Sequence, residues 1–369
     1  MITKNFYSLT KQQTSIIKGV AIIMIVMHNY LHLFGFGENE MSFDFSILFH
    51  YLKGIAHQPD SFPNAMFSYF GHYGVQLFIF VSGFGLAKKY LQSDNQINYK
   101  EYYVYRIAKI YSYLLFGLLI TVCHRLVMRK LDFTLFLGDA LRTLSMTDNF
   151  SYHRLFAYVG PWWFFSMILQ LYILFPFLYK YIQQRQRKGF YILLLVSYLL
   201  IYLLLPITEH FSIPLFGNCI GHLPEFVLGI AVASIPEIKI QLKHILIVVV
   251  VFIFSNLSKY AFPLSFLCVT IILLLLVYPL LNKKNKLVKF LIFIGEISAF
   301  MFVINGQLRA LTMKPFIAKA YNPLLLFSAS ILHLFLTIAI AYGMSIVYRP
   351  IWSFFQKLIH RLTAGKAIR

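Results

Sequence analysis

Residues 15–33 read SIIKGVAIIMIVMHNYLHL, an apolar stretch whose strongly polar members are one lysine, two histidines and one asparagine. Because the hydrocarbon core of a bilayer is about 30 Å thick and needs about 20 apolar residues per helix, this stretch predicts a membrane-spanning helix. It does not read as a cleavable signal peptide, since it is long, lacks a small-residue cleavage site and contains His28. The first predicted helix therefore carries ionisable groups inside the membrane.

The rest of the chain repeats this apolar character. Of its 369 residues, 59% are hydrophobic and only 12% are charged, whereas soluble globular chains carry about 25% charged residues. Nine further stretches are candidate spans: Tyr73–Leu91, Val104–Val122, Trp162–Ile182, Phe190–Ile207, Leu215–Ile235, His244–Asn256, Phe262–Leu281, Phe290–Leu308 and Leu324–Tyr348. We therefore predict an all-α, polytopic membrane protein with about ten transmembrane helices. The modest numbers of Gly, Pro and Cys exclude fibrous, disordered and disulfide-framework classes.

The distribution of charge predicts the topology. The formal net charge is +20, and 23 of the 33 Lys and Arg residues fall on the inner side if the N-terminus is cytoplasmic. Because cytoplasmic loops collect Lys and Arg, we expect both termini to lie in the cytoplasm. The basic residues follow loop side and form no RNA-binding motif, so we expect no nucleic-acid partner. Residues 1–348 are then one transmembrane domain, and residues 349–369 a basic cytoplasmic tail that lies on anionic headgroups.

The first stretch contains the polar groups that are most expensive in a membrane. An ionisable group at the centre of a membrane helix costs about 2.5–3.5 kcal/mol on insertion scales, so each is a functional candidate. His28 and His32 are four residues apart and share one helical face. A neutral imidazole accepts a proton from a hydroxyl, although a histidine hydrogen-bonded between helices is the simpler alternative. No carboxylate or thiol in the nearby sequence completes a metal site with them, and we expect none.

Two further segments combine small or basic residues with apolar ones. Residues 74–85 read GVQLFIFVSGFG, and the small residues in Ser82–Gly85 permit the close approach of another helix or of a ligand. No strand precedes this segment, so it is not a nucleotide-binding glycine fingerprint. In the third stretch, Arg106 and Lys109 are three residues apart on one face near the cytoplasmic end. They suit either a phosphate-bearing ligand or ordinary snorkelling at the membrane surface.

Four segments together resemble the acyltransferase-3 family of integral membrane acyltransferases, which includes O-antigen and exopolysaccharide O-acetylases. They are, in order, Lys18–His28 (KGVAIIMIVMH), Phe78–Phe84 (FIFVSGF), Arg106–Tyr111 (RIAKIY) and Trp163–Pro176 (WFFSMILQLYILFP). The first is similar to the family's first helix, which has a basic residue, Gly, an aliphatic run and His. The second is similar to the family's FFxxSGF helix and the third to its paired-basic segment. The fourth is similar to its WSLSxEEQFYLLFP helix. Weaker similarity lies at Pro224–Ile230 and at Gly295–Ser298, the start of a GxxSYxxYLxH pattern. The resemblance covers about residues 15–310.

The first helix departs from the family pattern in its spacing. Family members commonly have ten residues between the basic residue and the histidine, whereas nine separate Lys18 from His28. At about 100° per residue, His28 lies about 80° around the helix from Lys18. Asn29 occupies the common spacing.

Two later motifs lack the polar residues that the family pattern has. The acidic pair of the fourth motif is replaced by Ile168 and Leu169, which leaves Gln170, and Asn305 stands in place of the last histidine. These differences concern the residues that would move protons more than they concern the fold.

The resemblance implies transfer of an acyl group, usually acetyl, from acyl-CoA to a hydroxyl of a cell-surface glycan or its lipid-linked precursor, with His28 as general base or acyl relay. The site residues expected on this basis are catalytic His28, Lys18 and Asn29; cofactor-binding Arg106, Lys109, Ser82 and Lys88, with Lys89 as an alternative to Lys88; and substrate-binding Trp163, Tyr172, Gln170, Glu225, His32 and Asn305. Acyl-CoA is a co-substrate, and no tightly bound cofactor or metal is expected. The expected partners are the glycan or lipid-linked sugar acceptor and membrane lipids, a homo-oligomer is compatible with the sequence, and the location is a bacterial inner (plasma) membrane.

Two other classes of function stay open at this point. A non-catalytic translocator of polysaccharide or lipid-linked sugar is favoured by the missing acidic pair. A proton- or ion-coupled carrier would use Glu225, Glu296 and the histidines. Transfer or hydrolysis of acetyl-CoA by the purified protein separates the enzyme from both.

Overall fold

The computed structural model describes residues 9–34, 39–92, 97–127, 132–235, 242–313 and 322–363. In these ranges all regular secondary structure is helical, which confirms the predicted all-α class. The α-helices, in chain order, are α1 (Lys11–Leu31), α2 (Phe45–His57), α3 (Phe62–Phe70), α4 (Gly74–Leu91), α5 (Tyr99–Val127), α6 (Phe133–Leu144), α7 (Tyr152–Leu155), α8 (Trp163–His210), α9 (Leu223–Ser234), α10 (Leu242–Ser255), α11 (Phe262–Val277), α12 (Lys286–Met313) and α13 (Pro323–Thr363). Short 3₁₀ turns connect several of them.

The membrane character of the chain is confirmed by seven helical segments, counted over the described residues, that are long and apolar enough to cross a bilayer. They contain α1, α4, α5, α8, α11, α12 and α13, whereas α9 and α10 are apolar but shorter. Helix α8 has 48 residues and is kinked at Gln186, whose backbone is non-helical at φ 50° and ψ −130°. The predicted stretches Trp162–Ile182 and Phe190–Ile207 lie on either side of this kink. The total of about ten spans and the cytoplasmic placement of the termini stay predictions.

Helix α1 lies at the centre of the bundle and packs against α12, α4 and α3. It begins with a capping box, in which the Thr10 hydroxyl accepts from the Gln13 backbone N–H and the Gln13 side chain accepts from the Thr10 N–H. The Gln13 amide also donates to the side chain of Asn282, which precedes α12. The start of α1 is therefore fixed both by its own cap and by the segment that leads into its main partner.

Glycines allow two helix pairs to approach until their backbones touch. A methyl group at Gly19 would overlap the Leu291 carbonyl of α12, and one at Gly295 would overlap the Ser15 carbonyl of α1. In the same way Gly83 of α4 faces the backbone of α9. The small residues of the second stretch therefore serve helix packing at Gly83, one of the two alternatives that the sequence left open.

Two long segments, one between α1 and α4 and one between α5 and α8, contain short helices. The first contains α2, α3 and the 3₁₀ turn Gly71–Tyr73, and the second contains α6 and α7. At the other end of the chain, α13 continues through Pro350 to Thr363, so the helix crosses the boundary predicted at residue 348 without a break. Residues 364–369 of the predicted basic tail lie outside the described residues.

Candidate functional site

A cavity of about 240 Å³ lies between α1, α4, α5, α8 and α12, and we call it the inner cavity. All five helices contribute polar or charged side chains to its lining: Lys18, Ser82, Arg106, Lys109, Tyr113, Tyr172, Glu296 and Ser298. Aromatic and aliphatic side chains, among them Ile25, Phe164 and Phe302, form the rest of its wall. The inner cavity thus brings together five residues that the sequence predicted for the site, Lys18, Ser82, Arg106, Lys109 and Tyr172.

A second cavity of about 230 Å³, which we call the outer cavity, shares Arg106 with the inner cavity as a lining residue. It is lined by Lys89, Tyr90, Asn98, Glu101, Tyr102, Tyr105 and Arg106. These residues come from the ends of α4 and α5, at the basic end of the bundle. The charge distribution assigns this end to the cytoplasm, so the word outer refers to the end of the bundle and not to the outside of the cell. Lys89 rather than Lys88 lines the outer cavity among the described residues; Lys88 is half-buried and lines neither cavity.

The guanidinium of Arg106 is held among aromatic rings. Its central carbon lies 5.9, 5.5 and 5.4 Å from the ring centres of Tyr102, Tyr105 and Tyr172. Such cation–π contacts orient a guanidinium without consuming its N–H donors. In the described part of the chain no protein acceptor is hydrogen-bonded to them, so Arg106 presents its donors to both cavities.

Lys109 is positioned by a different set of contacts. Its ammonium lies 4.1 Å from the Trp352 ring centre and 4.8 Å from that of Tyr348, and it donates to the Tyr348 hydroxyl at 3.1 Å. The Tyr348 hydroxyl also shares a 2.6 Å hydrogen bond with Ser112. One of the three ammonium donors is thus used by the protein.

Lys18 and Glu296 face the inner cavity from neighbouring helices and interact electrostatically. Each follows or precedes a glycine at which α1 and α12 touch, Gly19 and Gly295. The backbone contact therefore sets how close these two charged side chains lie. From the sequence, Glu296 was a candidate only for a proton- or ion-coupled carrier, and its place near Lys18 became evident only in the structure.

His28 lies outside the inner and outer cavities. It is buried, with 2% of its surface exposed, and its Nδ1 is 2.8 Å from the Ser68 carbonyl oxygen. Its ring stacks on His32 at 4.7 Å and meets the edge of His72 at 5.5 Å. The backbone of Gly71 packs against the His28 Cβ, so α3 and the following turn close over this side of α1.

The face of α1 that lines the inner cavity runs through Lys18 and Ile25. At 100° per residue, Asn29 lies about 20° from Lys18 around the helix axis, whereas His28 lies about 80° from it on the other side. The nine-residue spacing noted in the sequence therefore turns the imidazole toward Ser68 and His72. Asn29 is half-buried, and its backbone carbonyl accepts from the Arg309 guanidinium at 2.8 Å.

Asn305 belongs to a separate buried network with a histidine of α13. Its Oδ1 lies 2.9 Å from Nε2 of His333, whose Nδ1 lies 2.9 Å from the Thr312 hydroxyl. The His333 ring also stacks on Tyr30 of α1 at 4.9 Å. Sequence reasoning missed His333, although a histidine within an apolar span is the kind of residue that deserves scrutiny.

The remaining predicted site residues lie away from the two cavities. The Gln170 amide donates to Asn218 at 3.0 Å and its oxygen accepts from the Cys219 N–H at 2.9 Å, which ties α8 to the segment before α9. Trp163 is buried and stacks on His222 at 6.2 Å. Glu225 is fully buried, and within the described residues neither of its carboxyl oxygens has a hydrogen-bond partner. His32 donates from Nδ1 to the His28 carbonyl at 2.8 Å.

Comparison with known proteins gives a finding that covers nearly the whole bundle. A family model described as an acyltransferase domain matches residues 15–348. No curated protein and no solved structure matches the chain.

Proposed function

The chain belongs to the acyltransferase-3 family, and from that premise we propose that it transfers an acyl group, most simply acetyl, from acyl-CoA to a hydroxyl of a cell-surface glycan or of its lipid-linked precursor. The resemblance seen in the four sequence segments is confirmed, and the chain is a multi-pass membrane protein of an acyltransferase family. The donor, the acceptor and a location in the bacterial plasma membrane are parts of the proposal.

The observation that carries the proposal is that Arg106 lines two neighbouring cavities. The outer cavity has two cations, Lys89 and Arg106, one carboxylate, Glu101, and three tyrosine rings. The cations suit the phosphates of a nucleotide and the rings suit its adenine. The inner cavity combines the charged side chains of Lys18, Lys109 and Glu296 with aromatic and aliphatic walls. Its apolar walls suit the thioester arm of acyl-CoA, and its lysines suit the carbonyl oxygen at the end of that arm.

In the proposed arrangement the nucleotide lies in the outer cavity and the thioester extends past Arg106 toward Ser82. Lys18 and Lys109 then flank the carbonyl carbon, where negative charge develops on oxygen as the acceptor attacks. Cations fixed in a water-poor site stabilise such charge without reorganisation. The basic end of the bundle is also the side on which acyl-CoA is available if the charge distribution sets the topology as predicted.

The reaction further needs a group that accepts the proton of the acceptor hydroxyl. The family resemblance implies that His28 is this base or a transient acyl carrier. Its Nδ1 lies at hydrogen-bond distance from the Ser68 carbonyl, and a proton on Nδ1 would leave Nε2 as an acceptor. Because His28 lies about one helical turn beyond Ile25, which lines the cavity, this role requires a rearrangement of α1 against α3.

Purified protein in nanodiscs tests the proposal with acetyl-CoA radiolabelled in the acetyl group. The acceptor is the total glycan and lipid-linked sugar of a strain that lacks the gene. We expect label in the glycan fraction, release of CoA thiol in equal amount, and loss of one acetyl increment from surface glycan in the deletion strain. A protein that binds acetyl-CoA but never releases thiol or labels glycan would contradict the proposal.

A translocator without chemistry is the second candidate, because one position favours it. Ile168, which stands where the family pattern has an acidic residue, lines the inner cavity and makes that wall apolar. A translocator moves labelled lipid-linked sugar across proteoliposomes and leaves acetyl-CoA intact, so the same preparation separates the two functions.

A further inference from the structure

Helices α5 and α13 meet through two rows of side chains, each with a spacing of four residues. The row on α5 and the facing row on α13 are, in matching order, Tyr105, Lys109 and Tyr113, and Gln356, Trp352 and Tyr348. Residues four apart lie on the same face of a helix, so the two rows follow directly from the helical period. Trp352 and Gln356 lie beyond residue 348, where the match to the acyltransferase family ends.

The Lys109 ammonium is surrounded by three aromatic rings of these rows. It lies 4.7 Å from the ring centre of Tyr113, in addition to its contacts at 4.8 Å with Tyr348 and 4.1 Å with Trp352. The Tyr348 ring stacks on Tyr113 at 5.1 Å and on Trp352 at 6.1 Å. Tryptophan is the strongest cation–π partner among the aromatic side chains, and here it is also the nearest. Trp352 is therefore the main contact that fixes this ammonium.

The same end of α13 contacts a ring that holds Arg106. The Trp352 ring meets Tyr105 edge to face at 5.7 Å, and the Gln356 amide donates to the Tyr105 hydroxyl at 3.1 Å. The Tyr105 ring in turn lies 5.5 Å from the central carbon of the Arg106 guanidinium and lines the outer cavity. Residues 352–356 thus contact the groups that position both cations of α5.

Dense packing does not explain the position of Trp352. A third cavity of about 400 Å³, which we call the apolar cavity, lies between α5 and α13, and Trp352 and Tyr348 are among its lining residues. Protein interiors contain few voids of this size, so the packing between the two helices is incomplete here. The Trp352 ring is nevertheless buried, with 7% of its surface exposed. Its contacts with Lys109 and Tyr105 therefore define its place.

A fixed ammonium has a chemical use at the wall of the inner cavity. Lysine has a flexible stem of four carbons, so an unrestrained ammonium samples many positions. Lys109 lines the inner cavity, and one of its three donors is used by the Tyr348 hydroxyl. The other two have no acceptor among the described residues and are available to a ligand. A cation held in place before the reaction stabilises developing negative charge without reorganisation.

We propose that Trp352 is a positioning residue for the acyl transfer: it holds the Lys109 ammonium beside the thioester carbonyl, which makes the end of α13 part of the donor site. This inference rests on the proposed function. Trp352 forms and breaks no bond and acts only through Lys109, as negative charge develops on the carbonyl oxygen. Because that charge is larger in the transition state than in the bound thioester, loss of the ring should lower kcat more than it raises KM.

The experiment uses the full chain in nanodiscs with radiolabelled acetyl-CoA and total glycan from the deletion strain. The variants are Trp352→Leu, Trp352→Phe, Lys109→Met and the double variant Trp352→Leu/Lys109→Met. Phe355→Leu serves as the matched control, because Phe355 lines the apolar cavity from the same turn of α13 and, among the described residues, its ring contacts neither Lys109 nor Tyr105. For each protein kcat, KM, the dissociation constant of acetyl-CoA and the melting temperature are measured.

We expect Trp352→Leu to lower kcat about 5- to 30-fold, the size of a cation–π contact in a desolvated site, with KM changed less than about threefold. Trp352→Phe keeps a ring and should stay within about threefold of the wild type, as should Phe355→Leu. In the Lys109→Met background the same Trp352→Leu change should lower kcat by no more than about twofold, because the charge that the ring positions is gone. A merely structural role would give equal losses with and without Lys109.

Two results would overturn the role of Trp352 while leaving the enzyme intact: Trp352→Leu with more than about half of the wild-type kcat, or equal losses in the two backgrounds. If Trp352→Leu does not fold, Trp352→Met replaces it in the same cycle, since methionine fills the space without a ring. A wild-type protein that binds acetyl-CoA but transfers no label would instead remove the proposed function, and this inference with it. The two failures are therefore distinguishable in one set of measurements.

Discussion

Replacement of Arg106 by glutamine should weaken acyl-CoA binding more than any other single change at the basic end. Arg106 is the residue shared by the outer and inner cavities, and its guanidinium donors have no protein acceptor among the described residues. In the proposed complex they bind phosphate. A hydrogen bond to a charged group contributes about 1.5–3 kcal/mol, which corresponds to an increase in the dissociation constant of about 13- to 160-fold.

The structure also predicts an ordering of variants at this position. Lysine keeps the positive charge but loses the planar fork and the contacts with the rings of Tyr102, Tyr105 and Tyr172. Arg106→Lys should therefore bind acyl-CoA about three- to tenfold more weakly than wild type, between wild type and Arg106→Gln.

Isothermal titration of the detergent-purified protein with acetyl-CoA measures the effect. Raising the salt concentration should weaken wild-type binding more steeply than that of Arg106→Gln, because one charge contact is gone. Arg142→Gln is the control, since that guanidinium pairs with Asp139 on α6, away from both cavities. A dissociation constant within about threefold of wild type for Arg106→Gln, with an unchanged melting temperature, would refute the placement of the nucleotide.

Three further predictions follow from specific contacts. A methyl group at Gly83 would overlap the Phe226 carbonyl, whereas nothing lies within 4 Å of a methyl group at Gly85. Gly83→Ala should therefore lower the free energy of unfolding by about 1–3 kcal/mol, and Gly85→Ala should not lower it. Thermal unfolding of the two purified variants compares them directly. His333→Ala and Asn305→Ala should each destabilise the protein by about 1–3 kcal/mol. Because both remove the same 2.9 Å hydrogen bond, the double variant should lose less stability than the sum of the two. Additive losses of stability would contradict this pairing. Lys89→Gln should raise the acetyl-CoA dissociation constant several-fold, on the order of 1 kcal/mol, while Lys88→Gln should leave it nearly unchanged. If titration calorimetry shows the reverse order, the nucleotide does not bind in the outer cavity.

Part of the site was predictable because it depends on residues close together in the chain. Arg106 and Lys109 are one helical turn apart, so their common direction follows from the helix alone, and both line the inner cavity. Lys18 could be placed on a definite face of α1 in the same way. These predictions needed only the period of the α-helix and the cost of charge in a membrane.

Other residues could not be placed because their surroundings come from distant parts of the chain. Whether His28 faces a substrate or a helix depends on where Ser68 and Gly71 pack, and the sequence contains no local signal for that contact. The same holds for Asn305, whose partner His333 is on the next helix. Gln170, whose role in binding substrate stays a prediction, is hydrogen-bonded in the structure to Asn218 and Cys219, which are also distant in sequence.

The sequence alone determined that the chain is a helical membrane protein, because hydropathy acts through transfer between water and hydrocarbon and needs no tertiary contact. The placement of its cations on the cytoplasmic side is a prediction from the same physics. Only the tertiary structure decided which of the intramembrane acids and bases share one space. Glu296 meets Lys18 because glycines 19 and 295 let two helices that are far apart in sequence touch, while His28 is covered by a turn that packs on the other face. Distances between side chains on different helices are set by how the backbones pack, and that information is spread over the whole bundle.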